Sequence, residues 1–374
     1  MLNRNDNYKI MGTEVSTLKI ASVNARYLQI PLGQARGGSG ATELEVVFVE
    51  VLLESGLTGT GFTYSLTGGG ASMKTLIDTT FADKIVGKTL EQWDTLWHRL
   101  WDLTHRLGRG IAVPSISAID IAIWDLRGKV RDLPLYKALG VYREKVPVYG
   151  SGRATHQMSI EQLIEGAAAY REEGYRAIKL RAGAFSVPQD IERIAAVRDA
   201  IGPSMQIMVD VNERLTYPEA LQLGRNLEDL DIYWMEEPLI SDDVQGHKRL
   251  AEHLNIPIAT GEHMHGRFEF VQYLQQGGAS ILMPDAPLVG GITECCRIAT
   301  IAEGFGALVS PHFLPELHIH IGASMKSCVS IEHFPLIDDI LEETLAAKDG
   351  YMVPPDRPGH GMKWDFEKIR HFEQ

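Results

Sequence analysis

Residues 208–213 read MVDVNE, residues 234–238 read WMEEP and residues 259–263 read ATGEH. Each closes a short, mostly apolar run (206–209, 232–235 and 258–261) with a carboxylate, and these acids, Asp210, Glu236 and Glu262, are equally spaced. Short apolar runs that end in an acid read as buried parallel strands. A helix-like segment follows each run, at 217–227, 244–253 and 267–276. The repeating unit is therefore strand–helix, with one acid at the C-terminal tip of each strand. In a barrel of such units the tips converge on the face where active sites are built. Three carboxylates gathered there repel one another severely unless a cation sits between them. Hard oxygen donors in this number, with water or substrate in the other positions, suit Mg²⁺.

The same alternation extends in both directions. Upstream, VPVYGSG begins at Val146 and reads as a first strand, with a helix over 159–173; AIKLR at 177–181 is a second strand, with a proline-opened helix over 188–201. Downstream, ILMPD at 281–285 is a sixth strand with a helix over 292–304, residues 307–310 are a seventh that leads into PHF, and CVSIE at 328–332 is a short eighth. Eight strands with helices between them predict a β/α barrel over 146–349.

Residues 1–145 lack this alternation. The first 14 or so residues are polar and are expected to be frayed. Residues 18–30 and 44–54 carry β-branched alternation and read as a hairpin or meander, followed by helices at 73–86, 90–107 and 115–130. This is an α+β pattern. Two glycine-rich stretches, GQARGGSGAT at 33–42 and SLTGGGAS at 65–72, read as mobile loops that act as lids over a barrel mouth. The tail, 350–374, is rich in proline and glycine, and its KWDFEKI is expected to pack back on the first domain.

Composition bounds the function. The chain has 374 residues, 44% of them hydrophobic, which suits one large and one smaller domain. A net charge of −13 argues against nucleic acid and anionic membrane as partners, so an anionic substrate needs a local cation. Three cysteines, two of them adjacent at 295–296, form neither a disulfide framework nor a zinc motif. No apolar leader or membrane-length run is present, and a cytoplasmic location is the expectation.

The remaining strand tips carry complementary chemistry. Period-two alternation puts Lys179 and Arg181 on one side of the second strand, facing the three acids. Asp285 ends the sixth strand and His312 follows the seventh; a carboxylate against an imidazole orients the ring and raises its basicity. Glu332 ends the eighth strand, where a deeply buried carboxyl can stay protonated and donate a hydrogen bond to developing negative charge. Asn212 faces the same way as Asp210, and His263 directly follows a metal ligand; both are candidate substrate contacts. His318 and His320 read as helix residues, and Cys295 and Cys296 as packing.

With these residues in place, the chain resembles the enolase superfamily and, within it, the mandelate racemase subgroup. The resemblance covers nearly the whole chain and extends to AIDIAIWDLRGK at 118–129 and MPDAPLVGGITE at 283–294. It implies an α+β capping domain on a modified (β/α)8 TIM-type barrel. It further implies Asp210, Glu236 and Glu262 as Mg²⁺ ligands, Asp285 and His312 as a dyad, and Glu332 as electrophile. Large symmetric homo-oligomers are common among such proteins, so a homo-oligomer is expected. Asp285 stands where related lactonising enzymes carry a lysine, which favours the mandelate racemase side. One position departs from the pattern: Arg181 replaces the second lysine of the usual Lys-x-Lys. A guanidinium is a poor base. Racemisation needs a base on each face of the α-carbon, whereas dehydration needs one base and one acid, which one residue can provide in turn. The expected activity is therefore a lyase that dehydrates a sugar acid (an aldonate or aldarate) to a 2-keto-3-deoxy acid. Lys179 and the metal would hold the carboxylate in this reading. The alternatives are a racemase or epimerase of a 2-hydroxy acid and, outside enzymes, a non-catalytic binding protein, which would need none of the acid/base residues.

Overall fold

The computed structural model describes residues 18–36 and 40–374. The expectation for residues 1–14 lies outside them.

An antiparallel sheet opens the chain, with strands Ile20–Arg36, Ala41–Leu53 and Thr58–Ser65 in sequence order. Its first hairpin corrects one expectation. The stretch 33–42 is mostly not a free loop: the first strand continues to Arg36, the second starts at Ala41, and these two residues pair. Residues 37–39 of that stretch lie outside the described residues. The third strand is absent from the sequence reading, because the glycines in TGTGFTYS look like turn residues. They serve close packing instead. A Cβ at Gly59 or Gly61 would run into the Ala122 and Ala118 carbonyls of the helix Ala112–Val130, which lies directly on this strand. The expected helix at 73–86 is present as one rod from Gly70 to Ile85 with a wider π turn at Ile77–Phe81. Trp93–Leu107 forms the next helix, and its tryptophans 93, 97 and 101 are buried against the helix 112–130 and the barrel.

The barrel follows with eight parallel strands at 146–150, 177–181, 206–210, 235–236, 258–260, 281–282, 308–309 and 331–333, each paired with its neighbour in order. Closure uses a divided eighth strand. Cys328 pairs with Val309 of the seventh strand, whereas Ile331–His333 pair with the first. Helices cover the outside, and those at 160–172, 187–201 and 217–229 each open with a capping box, from Ser159, Ser186 and Thr216.

The two motifs at 118–129 and 283–294 meet where the cap docks on the barrel. Asp120 Oδ1 accepts from Trp93 Nε1 at 2.7 Å and from Thr293 Oγ1 at 2.6 Å, and its Oδ2 accepts from the Thr293 backbone N–H at 2.9 Å. Gly290 donates to Ser117 Oγ at 2.9 Å, and a Cβ at Gly291 would occupy the place of the Asp120 side chain. The tail crosses back over both parts. Trp364 packs edge-on against Phe48 and Phe62 of the cap sheet and donates to Thr60 Oγ1 at 2.9 Å. Glu373 bridges to Leu28, and Gln374 N–H donates to the Tyr27 carbonyl at 2.9 Å. No helix among the described residues is long and apolar enough to cross a membrane.

Candidate active site

Asp210 and Glu236 end the third and fourth barrel strands, and Glu262 stands two residues past the fifth. The strands bring one carboxylate oxygen of each within 4.8 Å of the others. Asp210 and Glu236 are fully buried, and Glu262 is 9% exposed. Two donors aim the first two acids: the Asn212 N–H onto Asp210 Oδ1 at 2.9 Å, and Trp234 Nε1 onto Glu236 Oε2 at 3.0 Å. Burial, together with the charge on Asp210, pushes the Glu236 carboxyl well above its ordinary range. Burial and the neighbouring Glu237 do the same to Glu262. Glu262 Oε2 is also buried without a hydrogen-bond donor. Three hard donors converging on one point, one of them orphaned, are a good fit for a divalent ion.

The two cations of the second strand take different places. Lys179 is enclosed by acids: its Nζ lies 2.6 Å from Glu236 Oε1, 2.9 Å from Glu332 Oε1 and 3.4 Å from Asp210 Oδ2. Burial opposes its charge, but Glu236 and Glu332 hold the ammonium well above its ordinary range. Arg181 donates to Asp210 Oδ2, and to Asn212 Oδ1 at 2.7 Å. Of the two, only Arg181 lines the open cavity. Lys179, expected to meet the substrate carboxylate, is buried behind the cavity wall.

Glu332 lies between a backbone donor and a cation. Expected to be held protonated, it accepts from the Phe313 N–H at 3.1 Å and pairs with Lys179. Burial works against ionisation, yet Lys179 holds this carboxyl below its ordinary range. Its ion-pair partner is the lysine.

The dyad forms across the tips of strands six and seven. His312 Nδ1 lies 3.0 Å from Asp285 Oδ2, and His312 Nε2 faces Glu262 Oε2 at 3.4 Å. Burial and the nearby cations Lys179, His263 and Arg181 hold the imidazole well below its ordinary range, so it is neutral. A neutral ring that donates from Nδ1 leaves the Nε2 lone pair directed at the acid ring.

Two residues that sequence reasoning missed complete this arrangement. Tyr64, at the end of the third cap strand, donates to the same Asp285 Oδ2 at 2.6 Å. His318, on the helix 315–324, donates from Nδ1 to the Phe313 carbonyl at 2.7 Å and accepts on Nε2 from the Ala286 N–H at 3.0 Å. These backbone partners fix its tautomer and tie the segment after Asp285 to the segment after His312. The neighbouring His320 binds the His360 carbonyl at 2.9 Å, far from any acid cluster.

Above the ring lies a cavity of about 490 Å³, lined by Arg181, Asn212, Glu262, His263 and His312 among the predicted site residues. Lys179, Asp210, Glu236, Asp285 and Glu332 are buried behind that wall. Ser65, Leu66, Thr67 and Gly68 of the second glycine-rich stretch form part of its roof, whereas no described residue of 33–42 reaches it. The other wall is apolar, with Met73, Ile111, Leu288, Phe313, Phe334 and Leu336. The signal for Glu213 and His265, which also line the cavity, was present in the sequence: both follow a metal ligand by three residues.

Comparison with known proteins matches residues 16–140 to the N-terminal domain of mandelate racemase / muconate lactonizing enzyme and residues 162–369 to the enolase C-terminal domain-like family. A 3,6-anhydro-alpha-L-galactonate cycloisomerase from Streptomyces coelicolor is 34% identical over 329 residues, covering 87% of this chain and 91% of that protein. An L-talarate/galactarate dehydratase from Salmonella typhimurium is 35% identical over 334 residues, covering 89% of this chain and 83% of that protein. The crystal structure of an L-talarate dehydratase from a Polaromonas species, complexed with Mg and L-glucarate, superposes with a TM-score of 0.89 at 34% identity, over 95% of this chain and 97% of that one.

Proposed function

The chain is a Mg²⁺-dependent enzyme that belongs to the mandelate racemase / muconate lactonizing enzyme family of the enolase superfamily, and from that premise we propose that it dehydrates a sugar acid to a 2-keto-3-deoxy acid. The observation that carries this reading is the asymmetry of the proton-transfer groups. His312 lines the cavity as a neutral imidazole whose Nε2 faces Glu262 at 3.4 Å, with no hydrogen bond to it. The group across from it is Arg181, which stays protonated, is tied to Asp210 and Asn212, and is held above its ordinary range by Asp210 even though burial opposes the charge. One base suffices for elimination and fails for a two-base racemisation.

Asp210, Glu236 and Glu262 would hold the Mg²⁺, which supplies positive charge to the substrate carboxylate and so acidifies the α-proton. Arg181, the cation on the cavity wall, anchors that carboxylate from the other side. His312 Nε2 takes the α-proton while Asp285, braced by Tyr64, holds the ring through Nδ1 and stabilises the imidazolium that forms. The imidazolium then returns its proton to the departing β-hydroxyl. Water leaves, and the resulting enol relaxes to the 2-keto acid. Lys179 and Glu332 keep the ring's charge balanced from below. Asn212 and His263 face the cavity where the substrate's remaining hydroxyls would lie.

The named relatives set the discriminating outcomes. A dehydratase product is lighter than substrate by one water, whereas a cycloisomerase or racemase product keeps the substrate's mass. A sugar-acid library turned over with Mg²⁺ and read by mass spectrometry is expected to show water loss. The sole-base assignment is tested by following α-proton exchange in D₂O by NMR with His312→Asn and both C2 epimers. No exchange of either epimer is expected. Sustained exchange of one would reveal a second working base and move the racemase reading ahead.

A further inference from the structure

Beside the acid ring is a second group of ligand-type side chains that takes no part in the proton transfers of this reaction. Glu213, Glu237 and His263 follow the third, fourth and fifth strand tips, just beyond Asp210, Glu236 and Glu262. One ligand atom from each lies within 4.8 Å of the others. We propose that these three side chains bind a second divalent cation of the first transition row, at a site distinct from the Asp210–Glu236–Glu262 ring.

Glu237 carries most of the argument. Its side chain is fully buried, and its carboxylate points into the group: Oε1 meets His263 Nδ1 at 2.9 Å. Its other oxygen, Oε2, is buried with no hydrogen-bond partner at all. A buried carboxylate oxygen left without a donor is costly, and native structures leave few such atoms. The pair with His263 alone does not repair this, because it engages only Oε1. A cation taken by Glu237 through both oxygens would give the orphaned one a ligand bond.

The backbone supports the placement of all three groups. Asn212, Glu213 and Glu237 are non-glycine residues in the left-handed region, with φ of 49°, 59° and 42°. The chain turns sharply after the Asp210 and Glu236 tips and so presents a second carboxylate next to the first. Glu213 is held further by the Ser241 N–H, which donates to its Oε1 at 2.6 Å. Charge balance also favours a cation. The nearby Lys179 and Arg181 are committed to Asp210, Glu236 and Glu332. Two carboxylates are thus left facing a single imidazole.

The donor set selects the kind of ion. Two carboxylates with an imidazole nitrogen suit Mn²⁺ or Zn²⁺ better than Mg²⁺, which prefers oxygen alone. Half of the His263 side chain is exposed to the cavity, so the remaining coordination positions would open there. Binding at this site replaces the proton on His263 Nδ1.

The test is ion counting on the full chain without substrate, which keeps it independent of the dehydratase reading. The protein is equilibrated with Mn²⁺ and assayed by elemental analysis and by electron paramagnetic resonance. Two ions per chain are expected, with spin coupling between close neighbours. Glu237→Gln and His263→Asn should each leave one ion per chain and an uncoupled Mn²⁺ spectrum, and Asp210→Asn should remove the other ion. If Glu237→Gln does not fold, His263→Asn decides, since that side chain is half exposed. One ion per chain in the unaltered protein overturns the proposal, and so do two in His263→Asn.

Discussion

Two layers of the barrel interior lie only two residues apart along the same strands and are built on opposite principles. The lower layer is a dry plug of Tyr149, Ala177, Met208, Trp234, Ala259, Ile281 and Met283, all buried. The upper layer, one pleat further on, is Lys179, Asp210 and Glu236, joined by Glu332. Alternation along a strand keeps both sets facing inward. The plug is held by packing, and the upper layer by the pairing of opposite charges. Where they touch, the contacts are mixed: Trp234 donates to Glu236, and Lys179 Nζ stands 5.8 Å over the Tyr149 ring. The plug packs beneath the charges, which are themselves buried. Strong fields act at long range in such a place, because little solvent screens them.

The comparison breaks if the two layers respond alike to substitution. The largest effect is expected in the upper layer. Asp210→Asn, Glu236→Gln and Glu262→Gln should each abolish turnover and weaken Mg²⁺ binding in calorimetric titration, with the fold retained by circular dichroism. Unchanged affinity in all three would remove the assignment of the ring as the Mg²⁺ site. A smaller and different effect is expected below. Met208→Ala opens a cavity in the plug and should lower unfolding free energy by about 2–5 kcal/mol in a denaturant titration. Its Mg²⁺ affinity should stay within about twofold of the unaltered protein, since Met208 contributes no ligand. A large loss of affinity there would show that the plug also sets the ring's geometry.

The smallest effect sharpens the contrast, and it concerns a buried carboxylate that forms no ion pair among the described residues. Glu316 is 5% exposed, its Oε1 has no hydrogen-bond partner, and burial pushes its carboxyl up to about 8. A carboxyl raised in the folded state favours folding below its unfolded pKa of about 4.5, and that advantage is lost as pH rises through the folded value. Glu316→Gln should therefore flatten the fall in Tm between about pH 5 and pH 8 by several degrees. An unaltered slope in a pH series of thermal melts would show that Glu316 is not what titrates there.

How much of this was legible in the sequence depended on how local each feature is. The acid tips could be read because a short apolar run, its terminal carboxylate and the following helix lie within a few residues of one another. Asp285 and His312 were readable for the same reason. Tyr64 was not: it meets Asp285 across 221 residues of chain, and nothing near it announces a polar partner. The glycines at 59 and 61 misled because their partner is a helix carbonyl rather than a turn. The contact between Glu332 and Lys179 was not legible, because a strand-by-strand reading does not show that Lys179 reaches three acids at once.

The crossing tail has a consequence for the order in which the molecule is made. Phe48, Phe62, Trp364 and Ile369 share one apolar cluster, so the cap sheet finishes its core with residues translated after the entire barrel. At about 5–20 residues per second, the cap strands wait roughly 15–60 s for Trp364 to emerge. For that interval the nascent chain carries a half-covered sheet, and the ribosome-bound state is the one in which a chaperone would find the most apolar surface.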